Sequence, residues 1–131
     1  MSQPDCLLRR LETSSVRLQG DRAVAFFDGY PVTTGHTLII HKRHVASLFE
    51  STEQEQGEVW RLAAEGPAML LDEFRSNGFS IVFNDGAAAG QTVGHAHVHV
   101  IPRRHGDVAD PRGGVRRIIP NKPAYWPGDR P

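Results

Sequence analysis

Three histidines alternate with small or apolar residues in Gly94-His95-Ala96-His97-Val98-His99-Val100-Ile101-Pro102. That period is the pattern of a half-buried β-strand. It predicts a strand over Gly94 to Ile101 with His95, His97 and His99 in a row on one face, roughly 6.6 Å apart per step. Ala96, Val98 and Val100 would face a core. Three titratable rings are poor core material, because buried polar groups need partners. Imidazole titrates near pH 6.5, so much of it is neutral and nucleophilic at pH 7. The row therefore reads as a site.

The segment upstream, Asn84-Asp85-Gly86-Ala87-Ala88-Ala89-Gly90-Gln91-Thr92-Val93, feeds directly into that strand. Gly86 and Gly90 permit the backbone angles and close approach of a phosphate-cradling loop. Asn84, Gln91 and Thr92 offer donors at its rim. A glycine loop alone is a weak signal; joined to a histidine strand it points to chemistry on a phosphate.

The elements that must hold these residues can be read in order. A helix over Cys6 to Glu12, capped by Asp5, is followed by strands at Ser15 to Gln19 and Ala23 to Asp28 across the Gly20-Asp21 turn. Thr37 to His41 is rich in β-formers and apolar enough to be a central strand. Ser51 or Thr52, with Gln54 or Glu55, forms a capping box for a helix of about 24 residues carrying Val59, Leu62, Ala63, Met69, Leu70 and Phe74. Gly66-Pro67 interrupts it and predicts a kink, or two helices in sequence. Asn77-Gly78 is the expected stop, and Phe79 to Asn84 a fourth strand. The result is an α+β domain: a five-stranded antiparallel sheet covered by one main helix, with a short N-terminal helix. Residues 1–103 form its core, and 104–131 an irregular basic arm; Arg103, Arg104, Arg112, Arg116 and Arg117 mark the change of character after Pro102.

Composition narrows the function classes. The chain has 131 residues and zero formal net charge, so one domain is expected, with nothing global to favour nucleic acid or an anionic membrane. No apolar run approaches the ~20 residues of a membrane span. The start Met1-Ser2-Gln3-Pro4-Asp5 lacks a leader pattern, and the single cysteine, Cys6, cannot form an intrachain disulfide. A cytoplasmic setting is expected.

The stretch Gly90-Gln91-Thr92-Val93-Gly94-His95-Ala96-His97-Val98-His99-Val100 resembles the signature of the histidine triad (HIT) family, nucleotidyl hydrolases and transferases that act at the α-phosphate of nucleotide conjugates. A second segment, Phe27-Asp28-Gly29-Tyr30-Pro31-Val32-Thr33-Thr34-Gly35-His36-Thr37-Leu38-Ile39-Ile40, is similar to the family's nucleoside side. The resemblance covers roughly residues 14 to 103 and implies a HIT-like fold and a homodimer. It implies that His97 is the nucleophile, oriented by the carbonyl of His95, and that His99 donates to phosphate oxygens. It further implies that His36 reaches across to His95, and that Asp28 holds ribose hydroxyls. Phe26, on the other strand face from Phe27, would border the base. Asn84, Gly90, Gln91 and Thr92 would contact phosphate. His41 and Gly94 depart from the family pattern. His44 and His105 match no family role and read as surface residues. The N-terminal zinc-binding cysteine pair of many bacterial members is incomplete here.

The expected substrate is a purine nucleotide conjugate, by preference a dinucleoside polyphosphate, because the basic arm suits a polyphosphate leaving group. A nucleoside phosphoramidate is the alternative. No resident cofactor is required; a divalent metal would arrive with the polyphosphate. Two other classes compete. A zinc hydrolase could use His95, His97 and His36, although all three triad histidines cannot share one ion across about 13 Å. A nucleotide-binding module without turnover would not need His97.

Overall fold

The computed structural model describes residues 16–120, with the side chains of residues 69–73 left aside. Cys6 and the expected N-terminal helix lie outside that range. The strands are β1 (Val16–Gln19), β2 (Ala23–Phe27), β3 (Thr37–His41), β4 (Gly78–Val82) and β5 (His97–Arg103), with one α-helix, α1 (Glu53–Glu73). They form a single antiparallel sheet in the order β1-β2-β3-β5-β4. β3 is central, as its composition predicts, and all five of its residues are buried.

The pleat sorts β2, β3 and β5 into two faces. Ala23, Ala25, Ile39, Val98 and Val100 pack under Val59, Leu62 and Ala63 of α1. Val24, Phe26, Leu38 and Ile40 form a smaller cluster on the opposite face. His97 and His99 lie on that second face, paired across the ladder with Ile40 and Leu38. The site therefore sits on the side of the sheet away from the helix.

Helix α1 begins with the expected box. Thr52 Oγ1 accepts from the Glu55 N–H at 3.1 Å, and a Glu55 carboxylate oxygen accepts from the Thr52 N–H at 2.8 Å. Glu55 also takes a bidentate pair from Arg43, which ties the helix start to the end of β3. The sequence predicts a kink or a division at Gly66-Pro67; one helix runs through, with Pro67 inside it. Proline removes a single backbone bond there, and packing on the core by Val59, Leu62 and Ala63 before it and by Phe74 after it holds the chain in line. The stop also differs. Arg75 takes a left-handed conformation (φ 52), and Arg104 caps the Phe74 carbonyl at 2.8 Å. Asn77 instead accepts from the His105 N–H.

β5 starts three residues later than its periodicity predicts and runs on to Arg103. The cause is a tertiary bond: the Ala96 N–H donates to the Val45 carbonyl at 2.7 Å, drawing residues 95 and 96 toward the segment after β3. In the arm, the described part is irregular apart from a 3-10 turn at Gly114–Ile118. Among the described residues, no helix is long and apolar enough to cross a membrane.

Candidate active site

Two of the three triad histidines form the expected row. His97 and His99 share a face of β5, with ring centroids 5.0 Å apart. His95 leaves the row: it precedes the strand and is fully buried. Its Nε2 donates to the His41 carbonyl at 2.8 Å, since a carbonyl can only accept. His44, read from the sequence as a surface residue, is half-buried edge-on against His95 at 4.8 Å. His105 is exposed, as expected. The signal for His44 was weak, because the strand pattern ends at His41 and nothing local shows which way the next turn carries the ring.

The orientation of His97 follows from one bond. Its Nδ1 lies 2.9 Å from the His95 carbonyl, so Nδ1 carries a proton and, in the neutral ring, Nε2 is the bare nitrogen. The backbone turn that removes His95 from the row is what aims this carbonyl. His97 is half-exposed to the open face of the sheet.

Asp28 and His36 close the other end. The Asp28 N–H donates to the His36 carbonyl at 2.9 Å, which extends the β2/β3 pairing by one step and sets the two residues opposite each other. Gly35 makes room immediately before: it has φ +92, and a Cβ there would meet the Phe74 ring at 2.8 Å. The expected contact from His36 to His95 is absent. His36 Nε2 lies 2.8 Å from His99 Nδ1 instead, because the β3/β5 register sets His36 beside the far end of the row. Asp28 Oδ1 accepts from the Tyr30 N–H at 3.0 Å, and Oδ2 lies 3.4 Å from His36 Nε2. Asp28 thus serves its turn and still faces the site. A cleft of about 510 Å³ opens beside it, lined by Phe27, Val32, Thr33, His36 and Phe74 among others. Phe26 is buried in the small cluster on the histidine face, and Phe27 packs edge-on against Phe74 at 5.7 Å, on the opposite side as expected.

The glycine loop is braced internally. Gly86 and Gly90 both have positive φ, and the Gly90 N–H donates to the Ala87 carbonyl. Gln91 Oε1 accepts from the Gly86 N–H at 2.7 Å, while its Nε2 donates to the carbonyls of Ala46 and Val93. The Gly90 amide and the Gln91 side chain therefore hold the loop's shape, whereas Asn84 and Thr92 are exposed at its rim. Ser47 secures the loop's start by donating to Asp85 at 2.7 Å.

Burial lowers the pKa of His95 to about 4, against the opposing pull of its bond to His41. Burial also lowers that of His99 to about 4, reinforced by His97 and His36. His36 is shifted downward by burial, with Asp28 opposing. These rings are neutral at pH 7. Among the described residues, the group close enough to share a metal ion is Asp28, His36 and His99, with ligand atoms within 4.8 Å of one another. The set weighed from the sequence, His95 with His97 and His36, is not brought together: His95 turns away to His41, and His36 faces His99.

Known proteins resemble this chain in sequence and in fold. The HIT domain matches residues 10–106. An uncharacterized HIT-like protein of Mycoplasma genitalium is 40% identical over 86 residues, covering 65% of this chain and 60% of that protein. The bis(5'-adenosyl)-triphosphatase of Dictyostelium discoideum is 36% identical over 77 residues, covering 59% of this chain and 52% of its own. The crystal structure of a HIT family protein from Bacillus anthracis superimposes with a TM-score of 0.65 at 36% identity, covering 68% of this chain and 63% of that one. The match spans less than two thirds of the length of each of these relatives. With a domain match that spans residues 10–106, most of its length, this chain belongs to the HIT domain family.

Proposed function

We propose that the protein is a nucleotidyl hydrolase that cleaves a nucleotide conjugate at its α-phosphate through a covalent intermediate on His97. The observation that carries this reading is the bond from His97 Nδ1 to the His95 carbonyl at 2.9 Å, which leaves Nε2 as an unprotonated nucleophile. Nε2 attacks the α-phosphorus, a P–N bond forms, and the P–O bond to the leaving group breaks. The imidazolium produced keeps its Nδ1 proton on the carbonyl, whose dipole stabilises the new charge. Water then attacks phosphorus, the P–N bond breaks, and the nucleoside monophosphate leaves. Transfer of this kind relies on positioning and on donors to the equatorial oxygens. His99, Thr92 and Asn84 border the face where those oxygens would lie, with Gly90 and Gln91 shaping the loop, Asp28 holding the ribose and Phe26 near the base. The chemistry needs no resident cofactor; a divalent ion would arrive with a polyphosphate.

The preferred substrate is a dinucleoside polyphosphate, a reading supported by the similarity to the Dictyostelium triphosphatase. Part of the arm argument weakens in the fold. Arg103 is paired with Asp107, Arg112 with Asp110, and Arg104 caps helix α1, so these three are already engaged within the fold. Side-by-side turnover of diadenosine tetraphosphate and an adenosine phosphoramidate separates the two leaving groups. The intermediate is tested by acid-sensitive labelling. A quenched reaction with an adenylate-labelled substrate should trap a base-stable, acid-labile adduct on the peptide containing His97. His97→Asn should lose label and turnover while still binding nucleotide. Label on another residue would overturn the mechanism.

A homodimer and a cytoplasmic setting complete the proposal. β4 is an edge of the sheet, and beside it Phe49, Trp60, Ile81 and Val82 are exposed apolar groups. An open edge strand with apolar cover invites pairing with a second copy.

A further inference from the structure

A neutral imidazole has one nitrogen that donates and one that accepts. At His36 the main chain makes that choice. The Val32 N–H points at His36 Nδ1 across 3.1 Å. A peptide amide can only donate, so Nδ1 is bare and Nε2 carries the proton. That proton points to His99 Nδ1 at 2.8 Å. His99 Nδ1 must then be bare as well, and the proton of His99 is placed on Nε2, at the far side of its ring. The reverse arrangement would set an N–H of His36 against the N–H of Val32, at a ring that is only 3% exposed.

We propose that the Val32 main-chain amide is a positioning group which, through His36, holds His99 as an Nε2–H donor to the transferring phosphate. The role of the phosphate rests on the nucleotidyl-transfer reading above; the tautomer does not. The loop carrying the amide is fixed on both sides. The Tyr30 N–H bonds Asp28, the Thr33 carbonyl accepts from the His36 N–H, and Thr33 Oγ1 donates to the Pro102 carbonyl at 2.8 Å. Val32 is 69% exposed, and its hydrogen bond to His36 comes from the main-chain amide. Asp28 Oδ2, 3.4 Å from the same His36 nitrogen, favours a proton there. The downward shifts of His36 and His99 keep both rings neutral, the state in which a tautomer has meaning. The same bond argues against a metal ion among Asp28, His36 and His99: coordination would need His36 Nε2 bare and would drive its proton onto Nδ1, against Val32.

Nitrogen-15 NMR of the histidine rings in the resting protein tests this without turnover. His36 and His99 should each show a bare Nδ1 and a protonated Nε2. Val32→Ala should keep that signature. Val32→Pro, which deletes the donor, should give a mixture of His99 tautomers and lower kcat by about fivefold on a fluorogenic adenylate ester, with KM nearly unchanged. If Val32→Pro does not fold, a second pair decides. His36→Gln retains a donor at the Nε2 position and should retain the His99 signature, whereas His36→Leu should lose it. A wild-type His99 protonated on Nδ1, an unaltered signature in Val32→Pro, or identical signatures in the two His36 variants would overturn the proposal. If the signature is found but no nucleotide conjugate is turned over, the positioning assignment stands and the hydrolase reading falls.

Discussion

Lowering the pH from 7.5 to 5 should remove a large share of the folding stability through histidines of the site itself. His95 and His99 are each held at about 4 in the folded chain, against 6.5 for the ordinary side chain, and burial is the main cause. Between those values the unfolded chain binds a proton that the folded chain refuses. Stability is therefore full above pH 6.5 and falls as the pH drops toward 4. For one such ring the linkage gives about 2 kcal/mol between pH 7.5 and 5, rising to about 3 kcal/mol below pH 4. Two rings approach about 4 kcal/mol at pH 5, with His99 contributing less because it is partly exposed. That is a large part of the roughly 5–15 kcal/mol typical of a domain. His36 and His41 are shifted in the same direction and steepen the slope. The paired carboxylates Glu55 and Asp107, both held at about 2, lose their contribution in a lower window and leave this one clean. Urea unfolding at several pH values between 5 and 7.5 measures the effect. His95→Asn removes one titrating ring, so its stability should change with pH by about 2 kcal/mol less than that of the wild type. Equal slopes in the two proteins, or a flat wild-type profile, would refute the reasoning.

Three further outcomes are expected. Asp28→Ala should weaken ribonucleotide binding by about 1.5–3 kcal/mol per lost hydroxyl contact and deoxyribonucleotide binding much less; equal losses in titration calorimetry would remove Asp28 from the sugar site. Thr52→Ala breaks the capping box at the start of α1 and should cost about 1 kcal/mol in denaturant unfolding, with little change in kcat. Sedimentation at micromolar concentration should give a two-fold homodimer, and Ile81→Lys on the exposed edge should shift it toward monomer; a wild-type monomer would remove the assembly from the proposal.

The features that could be read directly were those set by local pattern. The alternation in His97-Val98-His99-Val100 fixes which side chains share a face, because a strand has a period of two whatever lies beside it. Thr37 to His41 announced a central strand by composition, and Thr52 with Glu55 announced the helix start, since a capping box closes within one turn. Gly86 and Gly90 were legible as positions of special backbone, and both take positive φ; Asp28 was singled out by the family resemblance.

What only the tertiary structure decided was the partner of each polar group. His95 leaves the row because Ala96 bonds to Val45 and the His41 carbonyl takes its ring, contacts across about fifty residues that no period encodes. His36 meets His99, not His95, because the pairing register of β3 with β5 sets which end of the row it reaches. Gln91 braces its own loop, since the Ala46 carbonyl happens to lie within reach of its amide. His44 gains a place against His95 for the same kind of reason. Pro67 stays within one helix because packing on the sheet outweighs one missing bond. Residue types set what chemistry was available. The fold chose which nitrogen carries each proton, because a tautomer depends on the group facing the ring, and that group comes from elsewhere in the chain.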